Sequence, residues 1–310
     1  MGGKKNVTES TKFLFFFLLI PTLFLIFGYF INPYPEIEIA TSLLLIPMLL
    51  APILLGVGFL VKKGDFGNIL KILGWLVFSF FWATQPSKLY YSEGGDVFNA
   101  SVCIIGVYIL SYLAYHEWLS KKGNEKISCL NWIAGASAIA GLIYFGIERT
   151  PLALLLIKHT AQQSGLLLDL IIGNAGVKGA EIFLDGKYVV KIIFACTAVQ
   201  AMVIFIGMIG ALQKIDLKRK IVGLLITVIP VYILNLFRNA MVTFLIGREI
   251  TDFNIAHNIL AKAGALITLI VLLFILIKIV PEIFDEINCL IDLYKRNGPL
   301  EKIFKKNKKI

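Results

Sequence analysis

Three residues in the C-terminal half of this chain have side chains that could act together in catalysis: Cys196, Arg238 and His257. Arg238 stands inside the apolar run Ile221–Ile246, and a charge at membrane depth costs about 3 kcal/mol, so it faces protein and has a function. Cysteine attacks carbonyl carbon as a thiolate, which a neighbouring guanidinium or a helix N-terminus stabilises. Histidine can carry the proton. These residue types predict covalent catalysis by a thiolate near a membrane surface.

The elements that must position these residues are membrane-spanning helices. Hydrophobic residues make up 58% of the 310 residues and charged residues only 16%, which excludes an ordinary soluble domain. Runs of about 20 apolar residues can cross a bilayer as helices. We predict an all-α polytopic membrane protein with about eight transmembrane helices, of which the third and fourth are the shortest: Phe13–Ile31, Ala40–Val61, Ile69–Thr84, Ala100–Tyr115, Leu130–Ile147, Ile192–Leu212, Ile221–Ile246 and Ile255–Val280.

Loop charges orient these helices. Lysine and arginine concentrate at the N-terminus, in every second loop and in the C-terminal tail, while the intervening loops are acidic or nearly neutral. The positive-inside rule then predicts that both termini are cytoplasmic and that the number of spans is even. The net charge of +10 is explained by these loops and by a tail suited to anionic headgroups, so we predict no nucleic-acid partner.

One long segment between spans, Glu148–Lys191, is predicted to lie outside the membrane. Its first half, Pro151–Ile172, is apolar with polar interruptions, which favours a helix at the membrane interface. Its second half has two β-prone runs around Asp185-Gly186, which predicts a β-hairpin with a type I′ turn. The second strand would lead directly to Cys196 and hold it at the membrane surface.

The resulting organisation is a single integral membrane domain in four parts. These parts are residues 1–147 with the first five spans, 148–191 as the extracytoplasmic segment, 192–280 with the catalytic spans six to eight, and 281–310 as a basic cytoplasmic tail.

In this arrangement the three candidate catalytic residues face the outside together. Cys196 opens the sixth span, Arg238 lies below the outer end of the seventh, and His257 opens the eighth. Arg238 would either activate the thiolate or bind the oxyanion of a tetrahedral intermediate. The neighbouring polar residues are candidates for substrate binding or supporting hydrogen bonds: Asn239, Gln200 and Asn258.

The other cysteines carry no comparable signal. Cys103, Cys129 and Cys289 lie in or near other spans, and no CxxC pair is present. We therefore predict no disulfide framework, no metal site and no cofactor.

Around the three candidate residues the sequence resembles the archaeosortase/exosortase family of membrane transpeptidases. The resemblance rests on Ala-Cys196-Thr-Ala-Val-Gln opening a span, Phe-Arg238-Asn239 about one span later, and His257 opening the next. It covers roughly Gly176–Val280 best, and the Cys-Thr-Ala form is closer to the archaeal branch. Some archaeal members carry arginine as the third residue, and Arg248 is a nearby alternative to His257.

The resemblance implies an enzyme at the cell membrane that recognises a C-terminal signal on secreted proteins, made of a short motif, a transmembrane helix and a basic cluster. Cysteine attack near the motif would release the helix and form a thioester acyl-enzyme. A lipid amine, or another amine, would resolve the thioester and leave the substrate anchored to lipid outside the cell. The implied partners are the signal helix of the substrate and a membrane lipid as acceptor.

The sequence also permits proteins of other classes. A transporter or lipid flippase could bind an anionic group through Arg238, although the duplicated halves typical of such folds are not evident. A structural membrane subunit would require neither Cys196 nor Arg238. Independently of the protein class, the arginine could instead form a structural ion pair, for which the sequence offers three candidate partners: Glu148, Asp169 and Asp252.

Overall fold

The computed structural model describes residues 2–35, 42–61, 65–91 and 95–306. The predicted start of the second span at Ala40 lies outside the described residues. The α-helices are α1 (Gly2–Ile31), α2 (Leu45–Leu60), α3 (Asp65–Ala83), α4 (Pro86–Tyr91), α5 (Val97–Gly123), α6 (Ser128–Glu148), α7 (Pro151–Ile172), α8 (Val199–Gly210), α9 (Leu217–Gly247), α10 (Lys262–Ile279), α11 (Glu282–Ile291) and α12 (Pro299–Lys306). A small sheet, β1 (Ala175–Lys178), β2 (Glu181–Leu184) and β3 (Lys187–Lys191), stands between α7 and α8.

The class predicted from the sequence, an all-α polytopic membrane protein, is confirmed. Within the described ranges, six helical segments are long and apolar enough to cross a membrane: Phe13–Ile31, Asp65–Tyr91, Val97–Gly123, Ser128–Glu148, Leu217–Gly247 and Asn254–Ile279. The other two predicted spans coincide with the shorter apolar helices α2, of 16 residues, and α8, of 12 residues. The prediction that the third and fourth spans are the shortest is wrong, because α3 and α5 run for 19 and 27 residues.

The described residues form two compact units, one made of Met1–Ala138 with Asp285–Ile310 and the other of Ile139–Phe284. The first unit has an apolar core around Leu55, Trp75 and Leu130. It also contains a buried ion pair, in which Lys71 of α3 lies 3.0 Å from Glu117 of α5. Side chains with 8% and 1% exposure can hold opposite charges there because each neutralises the other.

The C-terminal tail is fastened into this first unit by buried polar contacts. Arg296 donates to Glu125 at 2.7 Å and to the backbone oxygen of His116 at 3.0 Å. Glu301, only 2% exposed, lies 3.3 Å from the His116 ring and accepts hydrogen bonds from Tyr112 and Tyr115 at 3.0 Å each. Burial alone would raise the pKa of Glu301, but the hydrogen bonds from His116, the backbone and Tyr115 lower it below its ordinary value. The tail predicted as a basic segment thus contains a buried acidic residue that anchors it.

A disulfide joins the tail to α6 in the same unit. Cys129 and Cys289 are bonded, with their Cα atoms 5.9 Å apart and 160 residues between them in sequence. The sequence analysis predicted no disulfide framework and did not anticipate this single bond, because pairing over such a separation leaves no local signal. Glu286 lies within 4.8 Å of both sulfurs, but sulfurs joined in a disulfide are not metal ligands.

The second unit carries the predicted hairpin. β2 and β3 pair antiparallel around Asp185 and Gly186, whose φ angles of 51° and 77° are the positive values that a type I′ turn requires. The hairpin is confirmed, and the structure adds β1, which pairs antiparallel with β2 to complete a three-stranded sheet in the order β1-β2-β3. The short strand was not predicted from sequence.

This sheet packs on the helices of its own unit through close contacts. A Cβ at Gly165 of α7 would lie 2.1 Å from Val177 of β1, so only glycine allows this approach. At the end of α9, a Cβ at Gly247 would lie 2.8 Å from Leu184 of β2. The shared apolar core includes Ile182, Val190 and Ile192 of the sheet region together with Cys196 of the following turn. The sheet therefore sets where the chain enters the turn of Cys196.

Candidate active site

Cys196 lies in a turn between the sheet and α8. After β3 the chain makes a 3-10 turn over Phe194–Cys196, and α8 begins at Val199. The expectation that Cys196 lies within the first helical turns of the sixth span is therefore wrong. The helix begins three residues after Cys196, because residues 192–198 form the turn that follows the sheet. Ala198 has a φ of 63°, in the left-handed region that alanine disfavours. The cysteine is 8% exposed.

Two asparagines of α9 bind the backbone of this turn. Asn235 Nδ2 donates to the carbonyl oxygen of Cys196 at 2.8 Å, and Asn239 Nδ2 donates to the same oxygen at 3.0 Å. Residues four apart on a helix project from one face, so one stripe of α9 makes both bonds. Asn239 is buried, and its amide also lies 3.5 Å from Ser164 Oγ of α7. Sequence reasoning selected Asn239 but missed Asn235.

Arg238 is attached to the same asparagine. Its Nη1 donates to Asn239 Oδ1 at 3.5 Å, so Asn239 links the guanidinium to the backbone of Cys196. The Nε atom of Arg238 is buried and donates to no acceptor within the described part of the chain. No carboxylate in that part pairs with Arg238, which leaves the structural ion-pair alternative without support. The guanidinium retains donors for another group.

His257 belongs to a π-helical segment, Asn254–Ala261, which leads into α10. Such segments are rare and often occur at functional sites. The ring stacks on Phe253 with centroids 5.0 Å apart, and Nδ1 lies 3.2 Å from Asn258 Oδ1. Asn258 in turn donates to Asn254 Oδ1 at 2.9 Å. An Nδ1–H donated to Asn258 would leave Nε2 as the proton acceptor of the imidazole.

The π-helix is placed on α9 close to Arg238. Ala256, next to His257, packs in an apolar cluster with Val242 of α9. Val242 is one helical turn after Arg238, so the histidine segment packs on α9 one turn from the arginine. All three candidate residues are thus associated with α9. Arg238 belongs to this helix, the carbonyl of Cys196 accepts hydrogen bonds from it, and Ala256 beside His257 packs against it.

Two further sequence candidates occupy other environments. Arg248, the alternative to His257, donates to Asp185 at 2.8 Å at the tip of the hairpin. Gln200 is exposed in the first turn of α8 and takes no part in the hydrogen bonds found among the described residues of the site.

Comparison with known proteins gives the class of this membrane protein. The family model of transmembrane exosortases (EpsH type) matches residues 68–277, which is more than half of the chain. The chain is therefore a member of the transmembrane exosortase family. At the level of class, it is a membrane protease or transpeptidase that processes protein sorting signals.

Among individual proteins, the chain is similar to archaeosortase A of Haloferax volcanii, with 23% identity over 271 residues that cover 73% of this chain and 85% of the relative. It is also similar to archaeosortase A of Natronomonas pharaonis, with 24% identity over 245 residues that cover 68% of this chain and 75% of the relative. No solved structure gives a significant match.

Proposed function

We propose that this chain is a cysteine transpeptidase that cleaves the C-terminal sorting signal of secreted proteins and transfers them to a lipid amine. The observation that carries the proposal is Asn239, whose side chain bonds the backbone of Cys196 on one side and the guanidinium of Arg238 on the other. A nucleophile and a permanent cation held by one buried amide are the parts that thioester chemistry requires.

In the first half-reaction the Cys196 thiolate attacks the carbonyl carbon of the scissile peptide bond. A C–S bond forms, and the carbonyl oxygen becomes an oxyanion that Arg238 stabilises with its unpaired Nε–H. The C–N bond then breaks, and His257, which holds the proton taken from the Cys196 thiol, gives it to the departing amine of the signal helix. The product is a thioester between the substrate and Cys196.

In the second half-reaction a lipid amine attacks the thioester carbonyl. His257 accepts a proton from that amine, a new C–N bond forms, and the C–S bond breaks to restore the Cys196 thiolate. The hydrogen bond from His257 to Asn258 holds the imidazole with Nε2 available for both transfers. The charge pattern of the loops supports an orientation in which both termini are cytoplasmic and this site faces outward.

The test is processing of a co-expressed secreted protein that bears a C-terminal signal helix. We expect the wild-type protein to shorten the substrate and Cys196→Ala to leave it at full length at equal membrane levels. Cys103→Ser is the matched control, because Cys103 is the other free cysteine and should be dispensable. Normal processing by Cys196→Ala would refute the proposal and return Arg238 to the transporter alternative.

A trapping experiment separates the two half-reactions. Hydroxylamine cleaves thioesters, so it should release the shortened substrate from wild-type protein as a hydroxamate. Arg238→Lys should lower formation of the acyl-enzyme by about 100-fold or more, because a point charge cannot replace a planar fork of donors. Arg219→Lys on the same helix is its control: Arg219 binds Glu282 at 2.7 Å, away from Cys196, and its change should spare acylation. An acyl-enzyme yield in Arg238→Lys equal to wild type would exclude the arginine from the chemistry.

A further inference from the structure

The carbonyl oxygen of Cys196 is an unusual acceptor. It lies ahead of α8, whose first backbone bond runs from Met202 to Ala198 at 3.0 Å. Two side-chain amides, from Asn235 at 2.8 Å and Asn239 at 3.0 Å, donate to it instead. Backbone acceptors held away from water must find partners inside the protein, and these two amides provide the hydrogen bonds that this carbonyl needs.

The same turn contains a backbone conformation that needs outside support. Ala198, two residues after the cysteine, has a φ of 63° without being glycine. Such residues persist where the surrounding structure over-determines them, and they concentrate at functional sites. The hydrogen bonds from Asn235 and Asn239 support this turn near Cys196, because they fix the peptide plane that follows the cysteine.

We propose that Asn235 is a positioning residue for Cys196, acting together with Asn239. Its hydrogen bond goes to the backbone carbonyl of Cys196 and so sets the direction in which the Sγ atom projects. Arg238 stands between the two asparagines on α9, so one helical turn fixes both the nucleophile and the cation. The role in turnover rests on the function proposed above, whereas the role in thiol geometry does not.

Two substitutions of Asn235 test this role with different chemistry. Asn235→Leu keeps the approximate shape and has no donor. Asn235→Asp keeps the shape and can donate only when its carboxyl is protonated. The control is Tyr232→Phe, which removes a hydrogen bond from α9 to Gln163 of α7 without touching Cys196. All variants carry Cys103→Ser, so that Cys196 is the one free thiol while Cys129 and Cys289 stay bonded.

Two readouts are measured on the full-length protein in detergent or lipid. The first is the rate at which N-ethylmaleimide alkylates Cys196, and the second is kcat and KM for signal cleavage. For Asn235→Leu we expect the alkylation rate to change about tenfold and kcat to fall on the order of 100-fold, with KM unchanged, since misplacement of a reacting group acts on the chemical step. Tyr232→Phe should match the parent in both.

The pH dependence distinguishes positioning from a general loss of packing. The kcat of Asn235→Asp relative to the parent should rise as pH falls, because the protonated carboxyl regains a donor for the Cys196 carbonyl. The same ratio for Asn235→Leu should stay flat. The result for Asn235→Asp still holds if Asn235→Leu does not fold, because Asn235→Asp is compared with the parent at each pH.

Parent-like alkylation and kcat in Asn235→Leu would overturn the proposal, as would a pH-independent ratio for Asn235→Asp. A different result would count against the proposed function alone. If the parent does not process the substrate, but Asn235→Leu is alkylated at a different rate from the parent, the asparagine positions the thiol for some other reaction. The two ideas therefore fail in distinguishable ways.

Discussion

Arg248 donates to Asp185 at 2.8 Å and so fastens the tip of the β2–β3 hairpin to the end of α9. Both side chains are about 40% exposed, which limits the contribution of the pair to about 1 kcal/mol or less. The arginine is thus occupied by the scaffold of the site, whereas His257 carries a ring nitrogen suited to proton transfer.

The first prediction tests which of these two residues, His257 or Arg248, is the third member of the proposed catalytic set. His257→Ala should lower signal cleavage by about 100-fold to 10,000-fold, because general acid–base catalysis is lost. Arg248→Ala should lower it by no more than about fivefold, the equivalent of the exposed pair. The measurement is the initial rate of substrate shortening at equal enzyme levels. A larger loss in Arg248→Ala than in His257→Ala would reverse the assignment.

The second prediction concerns the hydrogen-bonded series from His257 through Asn258 to Asn254. Asn258→Ala should lower kcat about tenfold with KM unchanged, because the imidazole loses the acceptor that orients it. Asn254→Ala should have a smaller effect, since it fixes only the amide of Asn258. In the double variant, Asn254→Ala should add nothing further, which a double-mutant cycle measures. Additive losses would show that Asn254 acts independently of the histidine.

The third prediction tests the close approach of α7 and the sheet. Gly165→Ala should destabilise the protein by about 1–3 kcal/mol, because the added Cβ would lie 2.1 Å from Val177. Val177→Ala removes the opposing methyl groups, so the double variant should recover most of the loss. Thermal unfolding of the four proteins in detergent gives the comparison. Gly146, whose Cβ would meet nothing within 4 Å, supplies the control Gly146→Ala. A tolerated Gly165→Ala would contradict the packing.

The fourth prediction is a pH dependence of stability from the buried anchor of the tail. Because the pKa of folded Glu301 is lowered, its stabilising contribution is present above the unfolded-state pKa of about 4.3 and is lost as pH falls through the folded-state pKa. Glu301→Gln should therefore lower the unfolding free energy by about 1–3 kcal/mol at pH 7. Its unfolding temperature should approach that of wild type below about pH 4.

Asp292→Asn is the control for that titration, because Asp292 forms an exposed pair with Lys295 in the same tail and should affect stability little at any pH. A constant difference between Glu301→Gln and wild type from pH 7 to pH 3 would rule out Glu301 as the titrating group.

The features that local chemistry determines were predictable from the sequence. A type I′ turn requires positive φ angles at both central residues, and Asp185-Gly186 adopts them readily, so this pair marks the hairpin in the sequence. β1 was not predictable in this way: Ala175–Lys178 is short and contains Gly176, and it becomes a strand because β2 lies beside it. The length of α8 was overestimated because the apolar residues 192–198 form a turn, and hydropathy does not distinguish an apolar turn from an apolar helix.

The candidate site likewise has features that the sequence indicated and features that only the fold shows. The residue types and order of Cys196, Arg238 and His257 carried the resemblance, and the family match bears out the resemblance itself. The supporting contacts required the fold. Asn235 and Asn239 have the i,i+4 spacing that could have marked a polar stripe on an apolar helix, but their shared acceptor is a backbone atom about 40 residues earlier. The π-helix left no periodic signal, because its pattern departs from 3.6 residues per turn.

The bond between Cys129 and Cys289 closes a covalent ring of chain that contains every residue of Ile139–Phe284. Every residue of the candidate site therefore lies on a ring of chain closed by a single sulfur–sulfur link. A protease that cuts the backbone once within this ring would not divide the molecule. The nicked protein would migrate as one species on a gel until a reductant opened the ring, and then it would separate into two fragments.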